Sequence, residues 1–202
     1  MEITIEQPES FLRRIWAAST IVDWKRGQPH IESVCIDKDK IIATDSYRMI
    51  ILNNPNPIES QIVLEPDMVE YLISFIPKRK NVPIVGTLSI TVSDEHVLMI
   101  DRDNLESRQS RSFYLHNYKY PEYNNLIPKD ESFSGPVGLD PVFLSDLAVI
   151  TKRLLPDSPN KRWVLTYVNE NNKPVIWELE LRKLITEPED TVVYLQMAVK
   201  LR

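Results

Sequence analysis

The 202-residue chain contains the same opening three times, and this repeat constrains its fold more than any other feature. Each copy has a short β-prone run, then an acidic or amide residue, then proline; the copies are Ile3–Pro8, Ile62–Pro66 and Val137–Pro141. Proline is tolerated in the first helical turn, where its missing N–H has no partner to lose, and a preceding acidic residue favours a helix N-terminus. The sequence therefore predicts three helices, each following a short strand.

Strand patterns follow each predicted helix. Apolar residues at helical spacing predict helices that end near Trp24, Pro77 and Pro156. The predicted strands are Ile31–Asp37, Lys40–Ala43, Tyr47–Leu52, Thr87–Val92, His96–Asp101, Arg108–His116, Trp163–Val168, Pro174–Leu181 and Val192–Leu201. We therefore expect an α+β protein built from three β-α-β-β-β units, at about 1–60, 61–128 and 129–202.

The units are expected to group unequally. A single helix on a small sheet buries little apolar surface, so two units should share one core. We expect residues 1–128 to form one domain of two units and residues 129–202 to form a half-domain, with Tyr120–Pro136 as the main boundary. A lone third unit would expose an apolar edge, which soluble proteins generally cover, so a second chain is expected to complete it.

Composition excludes several classes of function. The chain has only 4 glycines, and Gly-rich phosphate loops and dinucleotide fingerprints each need several close together. Its 24 basic and 29 acidic residues give a net charge of −5, which argues against coating nucleic acid with the whole surface but permits one basic face. No secretory signal or membrane-length apolar stretch is visible, and the single cysteine fits a reducing compartment, so a cytoplasmic protein is expected.

Catalytic chemistry has little support in the sequence. The three histidines are scattered without metal-ligand spacing, so neither a metal nor a cofactor is expected, and the chain is predicted not to be an enzyme. His96 lies beside a predicted hairpin turn with Asp94 and Glu95, where a solvated turn is favoured over a metal or acid–base role. Cys35 lies within a predicted strand, where packing is favoured over a role as nucleophile.

Two stretches carry more specific information. In Ala43–Met49, the Asp45-Ser46 pair separates two apolar strands, which by itself predicts a hairpin. Tyr120–Pro128 by itself predicts a stiff, aromatic-anchored linker. Together with the terminal Met197–Arg202, they resemble the bacterial DNA polymerase III β sliding clamp family. Its middle domain carries an Ala-Thr-Asp-Gly-His-Arg-Leu hairpin and ends in Phe-Pro-Asp-Tyr and Leu-Pro, and its chain ends in Met-Pro-Met-Arg-Leu.

The resemblance covers the whole chain but only part of a family member. A member has six such units in three domains, whereas this chain resembles the middle domain followed directly by the last unit. Several positions depart from the family pattern. Ser46 replaces Gly, Tyr47 replaces His, Ala198 replaces Pro, and Arg202 adds bulk at the end of the chain. These departures imply a changed peptide preference or a loss of peptide binding.

The resemblance implies a DNA clamp fold, in which sheets form the outside of a ring and helices line a central hole. Such a ring holds duplex DNA topologically, through weak contacts with the backbone and without reading bases. The residues that would face DNA are Arg13, Arg14, Lys25, Arg26, Lys152 and Arg153. The alternative is that these are solvated cations near helix C-termini, where positive charge is favourable in any case.

The resemblance also implies a groove that docks peptides of polymerases, other DNA enzymes and a clamp loader. Met and Leu side chains let such a groove adapt to several peptides. By position in the family, the groove residues are Ile31, Thr44, Tyr47, Arg48, Met49, Pro121, Leu126, Leu195, Met197, Val199 and Leu201.

Ring closure is expected to need several copies of the chain. Family rings contain twelve units, so three units per chain imply a homotetramer, with third units of two chains pairing across a two-fold axis. Two other functions stay open. One is a clamp-derived interaction module that binds clamp peptides or another complex without encircling DNA. The other is a hydrolase or nuclease on an unrelated fold.

Overall fold

A computed structural model describes residues 2–24, 27–78, 86–103, 108–127, 140–156, 162–168, 174–180 and 192–197. The helices are α1 (Pro8–Ala18), α2 (Pro66–Ser74) and α3 (Pro141–Leu154), with one 3-10 turn at Asn124–Leu126. The strands are β1 (Glu2–Ile5), β2 (Val34–Asp37), β3 (Lys40–Thr44), β4 (Arg48–Asn53), β5 (Ile62–Leu64), β6 (Thr87–Val92), β7 (Val97–Asp103), β8 (Arg108–Tyr114), β9 (Arg162–Val168), β10 (Pro174–Glu180) and β11 (Val192–Met197).

The element order confirms the predicted α+β repeat. Two complete β-α-β-β-β units run from β1 to β4 and from β5 to β8. The third unit shows its helix and its last three strands, α3 and β9 to β11, whereas the strand expected at Val137–Leu139 lies outside the described residues. The proposed domain division at residue 128 also falls outside them and stays a prediction.

All three helices begin at the proline of the repeated opening. Each has proline in its first turn, and Asp140 accepts a hydrogen bond from the Val142 backbone N–H at 2.8 Å. That bond satisfies one of the amide donors that a helix N-terminus leaves without an intrahelical partner. The repeat thus marks the helix starts through elementary backbone chemistry.

Several predicted boundaries differ from the structure, and two of them have a clear local cause. Helix α1 ends at Ala18 instead of near Trp24, because the N–H of Thr20 donates to Ala17 and that of Ile21 donates to Ala18, which tightens the last turn. The first predicted strand starts at Val34 instead of Ile31. In this case the N–H of Ile31 donates to the carbonyl of Gln28 at 2.9 Å and forms a turn.

Two antiparallel sheets organise the chain. One has the strand order β1-β6-β7-β8, and the other has the order β5-β2-β3-β4-β11-β10-β9. The first two units exchange their first strands, because β1 pairs with β6 of the second unit and β5 pairs with β2 of the first. The third unit joins the first by antiparallel pairing of β4 with β11.

The helices cover one face of these sheets and form the main core. Because side chains alternate across a strand, Ile41, Ala43, Ile50 and Leu52 join the helix-side cluster, whereas Met49 belongs to a second cluster. Each of the four is fully buried. Fully burying one isoleucine or leucine side chain contributes roughly 1.5–3 kcal/mol, so this face supplies much of the stability of the fold. None of the helices in the described ranges is long and apolar enough to cross a membrane.

Candidate peptide groove and helix surface

The predicted hairpin is a tight turn between β3 and β4 that is held by its own side chains. The Asp45 carboxylate accepts hydrogen bonds from the backbone N–H groups of Tyr47 and Arg48, both at 2.9 Å. The Thr44 hydroxyl donates to the Arg48 carbonyl at 2.8 Å and accepts from the Ser46 N–H at 3.2 Å. Thr44 and Asp45 are both buried, so the turn is rigidly specified.

Ser46 has a φ of +74°, in the left-handed region, at the position where the clamp family has glycine. We expect Ser46→Gly to leave stability unchanged or raise it by up to about 1 kcal/mol, because glycine adopts this φ without a Cβ clash. Ser46→Val should lower stability by about 1–2 kcal/mol, because a β-branched side chain is strained there. Urea unfolding of the two variants measures the difference. Equal midpoints for both would show that the backbone strain is absent.

Arg48 connects the hairpin to the third unit. Its Nε donates to Asp45 Oδ2 at 3.0 Å, and its Nη1 donates to the Asp146 carboxylate on α3. The guanidinium lies 4.6 Å from the centroid of the Phe143 ring, and the side chain is 13% exposed. Arg48 is therefore held by two carboxylates and an aromatic face within the joint between the first and third units.

A second apolar cluster lies on the sheet face opposite the helices, and we call it the outer cluster. It contains Cys35, Ile42, Met49, Ile51, Val63, Tyr120, Tyr123, Ile176 and Leu195, with Ile127 and Val193 packed against it. Met49 and Leu195 are directly opposite each other across the β4–β11 seam, and both are 3% exposed. The hairpin, the linker and the terminal strand thus meet at one patch of sheet.

The linker is anchored to this patch by two tyrosines. Tyr120 is 2% exposed, and the Tyr123 hydroxyl donates to Asp37 Oδ2 at 3.0 Å. Burial raises the pKa of both phenols, and the Asp37 carboxylate raises the pKa of Tyr123 further, so both rings stay neutral near pH 7. Burial likewise raises the pKa of the Cys35 thiol. A neutral, fully buried thiol fits the packing interpretation of Cys35 and not that of a nucleophile.

The structure brings some of the predicted groove residues together. Thr44, Met49 and Leu195 are buried near one another at the hairpin and the seam, Pro121 is half-buried, and Tyr47 is 53% exposed at the hairpin tip. Ile31 is buried in the turn before β2. Leu126 lies in the 3-10 turn and Met197 ends β11. Val199 and Leu201 lie outside the described residues.

The groove prediction omitted part of this patch. Tyr120, Tyr123 and Cys35 contribute to the outer cluster beside the predicted residues. The sequence did indicate that something covers this face of the sheet. Strands that are apolar at consecutive positions bury both of their faces, and each face then needs a covering segment. An aromatic-rich linker is a suitable cover, since large rings bury much apolar area.

Predicted DNA-facing residues lie partly inside the helix packing. Arg14 is 5% exposed and donates to the Ser10 carbonyl at 3.2 Å. Arg13 pairs with Glu9 one turn earlier. Lys152 is exposed on α3, whereas Lys25 and Arg26 lie outside the described residues.

Arg153 links α3 to the end of α1. Its guanidinium donates to the Trp16 carbonyl at 2.6 Å and to Thr20 Oγ1 at 2.9 Å, and it lies 5.0 Å from the centroid of the Trp16 ring. Burial lowers its pKa from the usual value. Arg14 and Arg153 make hydrogen bonds within the fold, which neither the DNA-facing interpretation nor the solvated-cation alternative predicted. Their contact with DNA stays a prediction.

Within the described residues, no group of three or more His, Cys, Asp or Glu side chains could hold a metal ion. No protein-family profile matches the sequence, and comparison with curated proteins gives no significant match.

The solved structures that this chain matches in fold include bacterial sliding clamps. The DNA polymerase III β subunit of Borrelia burgdorferi matches with a TM-score of 0.66 and 14% identity, over 100% of this chain and 65% of that chain. The β clamp of Helicobacter pylori matches at 0.66 and 13%, over 99% and 66%. The β subunit of Thermotoga maritima matches at 0.64 and 12%, over 99% and 66%. The chain therefore has the DNA clamp fold, as the sequence resemblance predicted, and spans about two thirds of the length of these clamps.

Proposed function

We propose that this chain is a clamp that assembles with further copies into a ring around duplex DNA and tethers polymerase or other DNA enzymes through the groove beside the outer cluster. The proposal is carried by one observation. The three segments that build the predicted groove come from distant parts of the sequence, and Met49, Tyr120 and Leu195 meet in one cluster. The clamp fold supports the same function.

The ring is proposed to contain four chains. Three units per chain would give the twelve units that the family resemblance implies, within a closed, non-catalytic, cytoplasmic assembly. Topological enclosure needs little attraction between protein and phosphate, which suits a chain of net charge −5 with only local basic positions. A clamp loader is a further proposed partner.

Retention on circular DNA tests this function. The protein is incubated with nicked circular plasmid, with and without a bacterial clamp loader and ATP. The mixture is washed at about 0.5 M salt, where exposed charge contacts are strongly screened, and separated by gel filtration. We expect the protein to elute with circular DNA and to be released when a restriction enzyme linearises the plasmid. Equal retention on linear and circular DNA, or no retention on either, would contradict the proposed enclosure.

The hairpin tip offers a direct test of peptide binding. Tyr47 is 53% exposed beside the outer cluster, and Tyr114, which is 62% exposed on β8, is the matched control. Tyr47→Ala should weaken binding of a fluorescently labelled clamp-binding peptide of a bacterial polymerase about tenfold, because an aromatic interface residue contributes about 1–2 kcal/mol. Tyr114→Ala should bind as the parent does. Equal affinities for all three proteins would place the groove elsewhere.

A second candidate function is an interaction module that binds clamp peptides or another complex without encircling DNA. It is favoured by the hydrogen bonds that Arg13, Arg14 and Arg153 make within the chain. The two functions differ in the plasmid experiment. The module binds the labelled peptide but is not retained on circular DNA.

A further inference from the structure

Two kinds of contact join the units within the chain. In the exchange contact, the first two units swap first strands, so that β1 adds to β6 and β5 adds to β2. In the edge contact, the last strands of two units pair antiparallel, as β4 does with β11 from Arg48↔Gln196 to Leu52↔Val192. Helix packing accompanies both, because α1 lies against α2 and also against α3. Reciprocal exchange and antiparallel edge pairing are both two-fold in character.

Each unit offers one edge for each kind of contact. The outer edge of the second strand (β2, β6 or β9) serves exchange, and that of the last strand (β4, β8 or β11) serves edge pairing. The first unit has made both contacts. Within the described residues, β8 of the second unit and β9 of the third end their sheets without an outer neighbour. The described part of the chain therefore leaves one open edge of each kind.

The open edge of β8 presents backbone groups that suit strand pairing. The Leu115 N–H donates to the His96 carbonyl at 2.7 Å, and this pair continues the β7–β8 ladder, in which Val97 is opposite Tyr114. Because hydrogen-bonded positions alternate along an antiparallel strand, the N–H groups of Ser110 and Ser112 point away from β7. The Arg111 guanidinium lies 4.8 Å from the centroid of the Phe113 ring, over its own sheet. An edge of this kind is generally covered in soluble proteins.

The third unit leaves a helix flank uncovered as well as a strand edge. When α3 is aligned with α1 on their shared opening, Ser145 and Ala148 correspond to Leu12 and Ile15. Leu12 and Ile15 are 1% and 0% exposed in α1, which has a helix on both sides. Ser145 and Ala148 are exposed in α3, which packs against α1. The uncovered flank is at positions that a second neighbouring helix would bury.

These edges can be matched in one way among identical chains. In the second unit the free edge is that of its last strand, β8, which serves edge pairing, so it matches the β8 edge of another second unit. In the third unit the free edge is that of β9, which serves exchange, so it matches the β9 edge of another third unit. We infer that copies of this chain join like with like, second unit to second unit through β8 and third unit to third unit through β9 and α3.

This inference rests on the proposed ring and adds its symmetry. Two alternating two-fold joints give a closed ring dihedral symmetry, so that its two faces are equivalent. Neighbouring chains then present the hairpin at Asp45–Arg48 on opposite faces. A ring of four chains would carry two peptide grooves on each face and could hold a tethered enzyme on either side of the DNA-enclosing hole.

Variants at each joint test the pairing through the mass in solution. Ser110→Pro removes an outward N–H from β8 without removing a hydrogen bond to β7, and Ser110→Ala is its control. Ala148→Arg places a bulky charge on the uncovered flank of α3. Its control is Val142→Arg, at a 65% exposed position about 120° away around the same helix. Circular dichroism confirms that each variant is folded, and Ala148→Glu and Ser112→Pro serve as replacements for a variant that is not.

Light scattering at micromolar concentration should give about four times the 23.5 kDa chain mass for the parent and both controls. Ser110→Pro and Ala148→Arg should each give two-chain particles, because one two-fold joint survives, and the double variant should give single chains. If either variant alone gave single chains, all joints would be of one head-to-tail kind and the inference would be wrong. A monomeric parent, or variants with the same mass as the parent, would also overturn it. If the parent is retained on circular DNA while either variant falls to single chains, the pairing is wrong and the ring function stands.

Discussion

Replacing Arg48 with alanine is expected to lower the free energy of unfolding by about 3–5 kcal/mol, the range found when one member of a buried ion pair is removed. The reason is local. Asp45 is 4% exposed and the Asp146 side chain is 15% exposed, and both carboxylates pair with the Arg48 guanidinium. Without it, two largely desolvated charges lose their counter-ion, and the face of Phe143 loses its cation. Chemical denaturation with a two-state fit measures the change.

Arg108 provides the matched control for this prediction. Its side chain is 71% exposed, and its Nη2 lies 3.7 Å from Asp101 Oδ1. Arg108→Ala should therefore change stability by less than about 1 kcal/mol. Arg48→Lys should recover only part of the loss, because an ammonium group cannot reproduce the planar fork that serves two carboxylates and an aromatic ring. A loss at Arg48 no larger than at Arg108 would show that the joint does not depend on this network.

Truncating Leu195 is the second substitution with a large expected effect. Leu195 is 3% exposed, lies opposite Met49 across the β4–β11 seam and belongs to the outer cluster. Leu195→Ala should therefore cost about 2–5 kcal/mol, from lost apolar burial and the cavity left behind. Because this side chain joins the first and third units on the groove side of the sheet, the variant should also bind the labelled peptide more weakly.

Leu195→Met separates packing from chemistry at the same position. Methionine nearly conserves the volume, so the expected cost is below about 1.5 kcal/mol, with peptide affinity close to that of the parent. Urea midpoints and peptide titrations on the three proteins give both quantities. If Leu195→Ala were as stable as Leu195→Met, the seam would not be a packed interface.

The repeat explains how much of the fold could be predicted from sequence. Proline in the first helical turn and alternating apolar strands are local signals, and both the helix starts and the order of the elements along the chain followed from them. The exchange of β1 and β5 between units was not predicted. Each of these strands would satisfy the same hydrogen bonds beside either sheet, and no local pattern records which neighbour it joins.

The family resemblance predicted that the hairpin, the linker and the terminal strand form one groove. The structure places Met49 and Leu195 in the same outer cluster, and the groove itself stays a prediction. The ion pair between Arg48 and Asp146 joins residues 98 positions apart, which spacing alone cannot pair. The burial of Arg14 also depends on helices that flank α1, although its sequence neighbours would fit an exposed helix face.

The most direct test of the central claim is the shape and mass of the purified particle. Electron microscopy of the protein at micromolar concentration, with mass measured by light scattering on the same sample, should show a closed toroid of four chains. Its central hole should be wide enough to pass duplex DNA. A compact particle without a hole, or a single 23.5 kDa chain, would contradict the account of this protein as a ring-forming clamp.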